Sequence, residues 1–198
     1  MCLLLETIKI VEGKPQNLEF HQQRMELSRE KLFGRNEKPD LEKILNESEL
    51  TTEGIYKCRL IYGQKVEKTE FIPYEIKPVR SLKIVHADDL DYSLKYADRT
   101  EINKLREKRG GCDDILIIKN GFVTDTSYAN IIFWDGEKWL TPSTPLLKGT
   151  KRQKLIDEGK IIPAEIREED IPKFKKAKII NSMIDIEDTE GMEIDEIY

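Results

Sequence analysis

Four places in this sequence carry side chains whose type and spacing could do chemistry. The first is Gly149-Thr150-Lys151-Arg152, which follows the loop TPSTPLLK and opens a helical stretch. Backbone N–H groups of a first helical turn, the positive helix end, a hydroxyl and two cations could converge there on a phosphate. An ordinary glycine turn before a charged helix accounts for the same residues. The second is Asn181-Ser182 at the end of the apolar run AKII, where a hydroxyl could donate to an anion or simply occupy a turn. The third is Lys95 in DYSLKYADRT, between Tyr92 and Tyr96. A lysine in partly apolar surroundings has its pKa lowered and becomes a nucleophile for a carbonyl, although by itself an arbitrary surface lysine is the better guess for the segment. The fourth is Asp125 in the hydrophobic hairpin FVTDTSYANIIFW, where alternation puts Val123, Asp125 and Ser127 on one side. A carboxylate there is costly unless paired, so it is either exposed at an edge or faces a polar site.

These residues need a scaffold, and its pieces are legible. Residues 2–10 read as a strand ending in the turn Glu12-Gly13-Lys14-Pro15. A helix follows from Leu18 to Phe33, with Asn17 as its N-cap, Leu18, Met25 and Leu32 spaced seven apart, and Gly34 as its C-terminal glycine. His21, Arg24 and Ser28 share one face of it. Asp40 caps a short helix to Asn46, and Tyr56–Tyr62 and Val66–Tyr74 form a hairpin around Gly63-Gln64. Pro73 and Pro78 punctuate a connector, which sets the domain boundary between residues 1–79 and 80–198. Beyond it come a strand at Leu82–His86, a helix from Asp98 to Lys108 stopping at Gly110-Gly111, and a strand at Asp114–Ile118. Asn120-Gly121 then makes a type I′ turn into the strand from Val123. Asn130–Trp134 and Lys138–Thr141 flank Asp135-Gly136 as a further hairpin. Helices at Gly149–Glu158 and Glu168–Lys176 and a strand at Lys178–Asn181 complete an α+β pattern without regular βαβ spacing or GxGxxG. The charge run Lys173–Lys178 reads as a solvated helix end.

Composition narrows the partners. In 198 residues, 33 Lys and Arg face 38 Asp and Glu, for a formal charge of −5. That balance argues against a nucleic-acid partner, which needs a basic face. The longest apolar runs, such as Ile115–Ile118, fall far short of the roughly 20 residues that cross a bilayer. The N-terminus has no basic region and an acid at Glu6, unlike a secretory signal, so a cytoplasmic protein without a membrane partner is expected. Cys2, Cys58 and Cys112 are widely spaced and odd in number, which predicts neither a disulfide framework nor a zinc site. With His21 and His86 the only histidines, no metal centre is expected.

Taken in order, HQQR, SLKYADR, VTDTSYAN, LLKGTKR and NS resemble the fold-type IV pyridoxal-phosphate enzymes, the class IV aminotransferase family, over nearly the whole chain. The resemblance implies a small N-terminal α/β domain and a larger C-terminal, β-barrel-like α+β domain, with pyridoxal 5′-phosphate at their junction. It makes Arg24 the arginine that grips the cofactor phosphate, and Lys95 the Schiff-base lysine and proton-transfer base. Asp125 stands in place of the family's glutamate on the pyridine nitrogen, one methylene shorter. Gly149, Thr150 and Lys151 match the phosphate cup, with Lys151 where threonine or methionine is common, and Ser182 matches a second phosphate hydroxyl. Arg59 in YKCRLIYG is similar in placement to an arginine that binds substrate carboxylate. The chain is several tens of residues shorter than typical members, mainly in the N-terminal domain.

The resemblance implies a homodimer acting on a small amino substrate. Its activity is expected to be that of a 4-amino-4-deoxychorismate lyase, forming 4-aminobenzoate and pyruvate for folate synthesis. The alternatives are a branched-chain or D-amino-acid transaminase and a non-catalytic relative that kept the fold.

Overall fold

The structure, a computed structural model, describes residues 2–34, 39–48 and 53–198. Two compact units divide the chain: Met1–Ile76 with Leu94–Asp98, and Lys77–Ser93 with Arg99–Tyr198.

In the first unit, strand β1 (Leu4–Val11) pairs antiparallel along its whole length with β3 (Ile55–Tyr62), which pairs with β4 (Val66–Pro73). The two-residue strand β2 (Lys14–Pro15) lies on β1, giving the order β2-β1-β3-β4. Glu12 and Gly13, at φ 48° and 73°, make the left-handed turn between β1 and β2. Helix α1 (Leu18–Phe33) buries Met25 in a core with Leu4, Ile8, Ile10, Leu60 and Tyr62, while Leu18 and Leu32 pack on its margin. Asn17 begins α1 as expected, but without a side-chain cap: at φ 55° it serves by tolerating the left-handed backbone that swings the chain into the helix. Gly34, at φ 59°, ends the helix and donates its N–H to Glu30 O. Helix α2 (Leu41–Asn46) is capped by Asp40, whose carboxylate accepts from Lys43 N at 3.0 Å, and buries Leu41 and Leu45. The returning segment Leu94–Asp98 lies alongside the start of β1. Leu5 N donates to Lys95 O and Ala97 N to Leu3 O, both at 2.9 Å, and Leu94 enters the core.

The second unit is built on β5 (Leu82–His86), β6 (Asp114–Lys119), β7 (Phe122–Thr126), β8 (Asn130–Trp134), β9 (Trp139–Pro142) and β10 (Ile161–Ala164) in the order β10-β9-β8-β7-β6-β5. Strand β11 (Lys176–Ile180) joins β8 and carries β12 (Met192–Glu193). Helix α3 (Thr100–Glu107) precedes β6, and α4 (Thr150–Asp157) lies between β9 and β10. Asn120 and Gly121, at φ 51° and 80°, form the expected hairpin turn of β6 and β7.

Three local expectations change. Glu168–Lys173 is a 3-10 turn rather than a helix reaching Lys176, because Pro172 lacks the donor a helix needs and Lys176 already belongs to β11. The run Lys173–Lys178 is therefore split between that turn and a strand whose Ala177 and Ile179 are buried. In β7, alternation does not sort the residues, since Thr124 and Thr126 are buried along with Val123 and Asp125. Strand β10 includes Pro163, which is tolerated because β10 sits at the end of the strand path. Among the described residues no helix is long and apolar enough to cross a membrane.

Leu60, fully buried in the first core, tests the packing that holds α1 against β1. Leu60→Ala is expected to lower stability in urea denaturation by about 2–5 kcal/mol; an unchanged midpoint would place Leu60 outside the core.

Candidate active site

In the first unit the site begins with a carboxylate inside the sheet. Glu6, on β1, is fully buried. Residues three apart on α1 share a face, and here His21 and Arg24 meet Glu6 together. His21 Nδ1 lies 2.7 Å from Glu6 Oε2, and Arg24 donates from Nε to Oε1 at 2.9 Å and from Nη2 to Oε2. Burial alone would raise the Glu6 pKa, but the Arg24 charge and the bonds from His21 and Arg24 outweigh it and hold the group at about 2. His21 is lowered as well, but from a different cause. Burial pushes its pKa down, the Glu6 bond opposes, and the positive charges of Arg24 and Lys95 add to the lowering. A neutral His21 therefore donates from Nδ1 to an ionised Glu6. Lys95 is half-buried, with its backbone held by β1 one residue from Glu6. Arg59, on β3, has its guanidinium on the cross-strand Glu70 at 3.1 Å, and Lys68 shares that carboxylate.

In the second unit the pairing of β7 with β8 sets Asp125 opposite Asn130. Asp125 is buried, and its oxygens accept from Asn130 Nδ2 at 2.7 Å and from Leu147 N at 2.9 Å. Asn130 Nδ2 also donates to Leu147 O at 2.9 Å, tying the loop before α4 to the strand. Gly149 completes the constraint: a Cβ there would lie 2.0 Å from Asn130 Oδ1, so no larger residue fits. Burial pushes Asp125 up to about 6, against the Leu147 and Asn130 bonds and the charge of Arg152, which lower it. Arg152 is itself held elsewhere, by Thr141 Oγ1 at 3.2 Å and Pro142 O at 2.8 Å.

Helix α4 starts at Thr150, which is buried, with no side-chain cap and no acid in its first turn. Lys151 does not face solvent: it is 4% exposed and forms an ion pair with Asp185. Ser182, half-buried, sits in a turn closed by reciprocal backbone bonds between Asn181 and Ile184 at 3.2 Å. Asn181 Oδ1 tightens the same turn by accepting from Met183 N and Ile184 N at 2.8 and 3.0 Å.

Sequence reasoning singled out Arg24 and Asp125 but not the residues that hold them. Glu6 carried a signal, a lone acid among the apolar residues of LLLETIKIV. Asn130 carried none until the strand register set it against Asp125. Among the described residues no group of three or more His, Cys, Asp or Glu could hold a metal.

The donor chemistry suits pyridoxal phosphate. A helix start free of acids suits a phosphate. A buried carboxylate whose hydrogen-bond donors are neutral gains from a cationic N–H on its remaining lone pairs, which a protonated pyridine nitrogen provides. These features define the class: a mixed α+β protein with residues fitted to an anionic cofactor bearing a basic ring nitrogen.

The comparisons with known proteins name the family. The family model for amino-transferase class IV matches residues 3–187. An uncharacterized protein of Haemophilus influenzae is 44% identical over 189 residues, covering 92% of this chain and 98% of that one. A solved structure from Haemophilus somnus, provisionally named a 4-amino-4-deoxychorismate lyase, is similar at 39% identity and a TM-score of 0.86, covering 92% of this chain and 97% of its own. The fold is also that of a hypothetical aminotransferase from Mycobacterium tuberculosis solved with PLP bound, at 19% identity and a TM-score of 0.73, covering 91% of this chain and 78% of that one. This chain belongs to the class IV aminotransferase family. It is a pyridoxal-phosphate-dependent enzyme, with the α+β fold of that family.

Two variants test the held residues. Glu6→Gln leaves Arg24 without its counter-charge and is expected to lower stability at pH 7 by about 3–5 kcal/mol. Because the Glu6 pKa is depressed, its contribution is present above about 4.5 and is lost as pH falls towards about 2. The gap between wild type and variant in urea denaturation should narrow over that window; a gap independent of pH would disprove the ionised pairing. Gly149→Ala should displace Asn130 from Asp125 and weaken pyridoxal-phosphate binding about tenfold or more, the loss of a hydrogen bond to a charged group. Unchanged affinity in an absorbance titration would show that Asn130 has no part in the cofactor grip.

Proposed function

We propose that this protein is a 4-amino-4-deoxychorismate lyase that releases 4-aminobenzoate and pyruvate for folate synthesis. The observation that supports this over other family activities is the likeness, at 39% identity and across nearly the whole of both chains, to the Haemophilus somnus protein provisionally given that name. The compact chain and the Asn181-Ser182-Met183 segment favour the same reading. The proposal includes a cytoplasmic homodimer acting on a small amino substrate.

When bound, pyridoxal phosphate supplies an electron-poor ring that stabilises negative charge on the substrate carbon bearing the amine. The protein's own residues do the rest. Asp125 would hold the protonated pyridine nitrogen, because its burial makes a cationic partner favourable. The groups that would take the phosphate are Arg24 in the first unit and, in the second, the first-turn N–H groups at Thr150 and Lys151 and the Ser182 hydroxyl. Glu6 holds the Arg24 fork through both of its oxygens, so that guanidinium is positioned before use. Lys95 would hold the cofactor at rest, and its Nζ is free for proton transfer once the substrate amine has taken its place. During turnover its Nζ takes the proton from the carbon bearing the amine and returns it to the carbon of the departing pyruvate fragment. Aromatisation of the remaining ring drives that elimination. Arg59, already balanced by Glu70, is the candidate for the substrate carboxylate.

A transaminase acting on a small amino acid is the second reading, supported by membership of the amino-transferase class IV family. It shares proton removal by Lys95 and differs in where the proton returns. Incubation with aminodeoxychorismate is expected to yield pyruvate and 4-aminobenzoate without any ketoacid, whereas amino transfer that depends on a ketoacid would replace the lyase by the transaminase. In either case Lys95→Ala should lower turnover by at least about 10²–10⁴-fold and remove the visible band that borohydride makes irreversible. Full activity in that variant would take Lys95 out of the mechanism.

A further inference from the structure

We propose that the Lys151–Asp185 ion pair is a clamp that locks the start of α4 to the turn carrying Ser182, so that the phosphate donors of the two elements are set in place before the cofactor arrives. The inference rests on the pyridoxal-phosphate reading of this site and assigns Lys151 a role as a positioning residue.

Lys151 is the second residue of α4, directly after Thr150. A lysine at a phosphate cup would ordinarily lend its charge to the anion. Here the ammonium is already committed, since Nζ is paired with Asp185 Oδ2 and the side chain is 4% exposed. An ammonium so buried needs a close counter-charge, and with the aspartate beside it the pair adds no net charge to the cup. What remains for the pair to do is geometric.

Asp185 is well anchored for that work. It follows at once on the turn Asn181–Ile184, closed by its two backbone bonds and by the two donors on Asn181 Oδ1. Its own N–H donates to Asp188 Oδ2 at 2.8 Å, and its Oδ1 accepts from Ile186 N at 3.1 Å. A pull on Asp185 is therefore a pull on the whole turn, Ser182 included. Lys151 is equally tied to Thr150 through the helix backbone. The pair spans 34 residues of sequence and joins two elements that would each present donors to the phosphate. Holding both before binding removes an ordering cost that the cofactor would otherwise have to meet.

The test compares Lys151→Met, Asp185→Asn and the double variant with the full-length wild type, using amide hydrogen exchange on the apo-protein and absorbance titration with pyridoxal phosphate. In the apo-protein, both single variants should speed exchange in residues 149–152 and 181–186, and the double variant should speed it no further. Lys151→Met should also weaken pyridoxal-phosphate binding about tenfold or more, because it frees a carboxylate beside the phosphate donors, and adding Asp185→Asn should recover part of that loss; such a non-additive cycle is the mark of a direct pair. Exchange at 181–186 that ignores Lys151→Met, or single effects that simply add, would overturn the clamp. If Lys151→Met fails to fold, Asp185→Asn carries the exchange test and Lys151→Arg should restore wild-type protection. A wild type that binds no pyridoxal phosphate would overturn the cofactor reading, while apo-protein exchange would still decide the clamp.

Discussion

A carboxylate buried in a β-sheet must be compensated, and the two buried carboxylates named here are compensated in opposite ways. Glu6 receives a full cation: Arg24 grips both of its oxygens, His21 adds a third donor, and the group stays ionised far below neutrality. Asp125 receives neutral donors, and burial holds it up at about 6. The first arrangement is electrostatically closed, and its function is to hold an arginine. The second is open, in the sense that its carboxylate is still better off with a positive partner. One unit thus positions a cation and the other prepares a place for one.

The backbone around Asp125 is shaped by the need to deliver those neutral donors. A single β7–β8 pairing sets Asn130 against Asp125, and the same amide nitrogen reaches Leu147 O in the loop before α4. That loop can come so close only because residue 149 has no side chain. The glycine that precedes the helix is thus the residue that lets the carboxylate be held. Lys151 shows the complementary economy, because its charge is spent on Asp185 and leaves the helix N–H groups to act on their own.

Much of this was legible in the chain itself. The strands at Leu4–Val11, Ile55–Tyr62, Val66–Pro73 and Leu82–His86, and the turn at Asn120-Gly121, follow from alternation and from residues that accept positive φ. Such signals are local, and local physics decides them. The order of HQQR, SLKYADR, VTDTSYAN, LLKGTKR and NS was enough to indicate the family and its cofactor. Where alternation and helix period misled, a tertiary competitor had won. Strand β7 is buried on both faces, and the strand on β8 begins at Lys176, inside what looked like a helix end.

The amino-acid sequence by itself determined the types of element, the turns between them and which side chains were equipped for chemistry. Only the tertiary structure decided what those side chains hold. Glu6 meets Arg24 across 18 residues and Lys151 meets Asp185 across 34. Pairings at such range leave no periodic trace, because they depend on strand register and helix placement rather than on spacing. The charge state of Asp125 belongs to the same category: it is set by how completely its neighbours exclude water, a property of the packed protein and of no single segment.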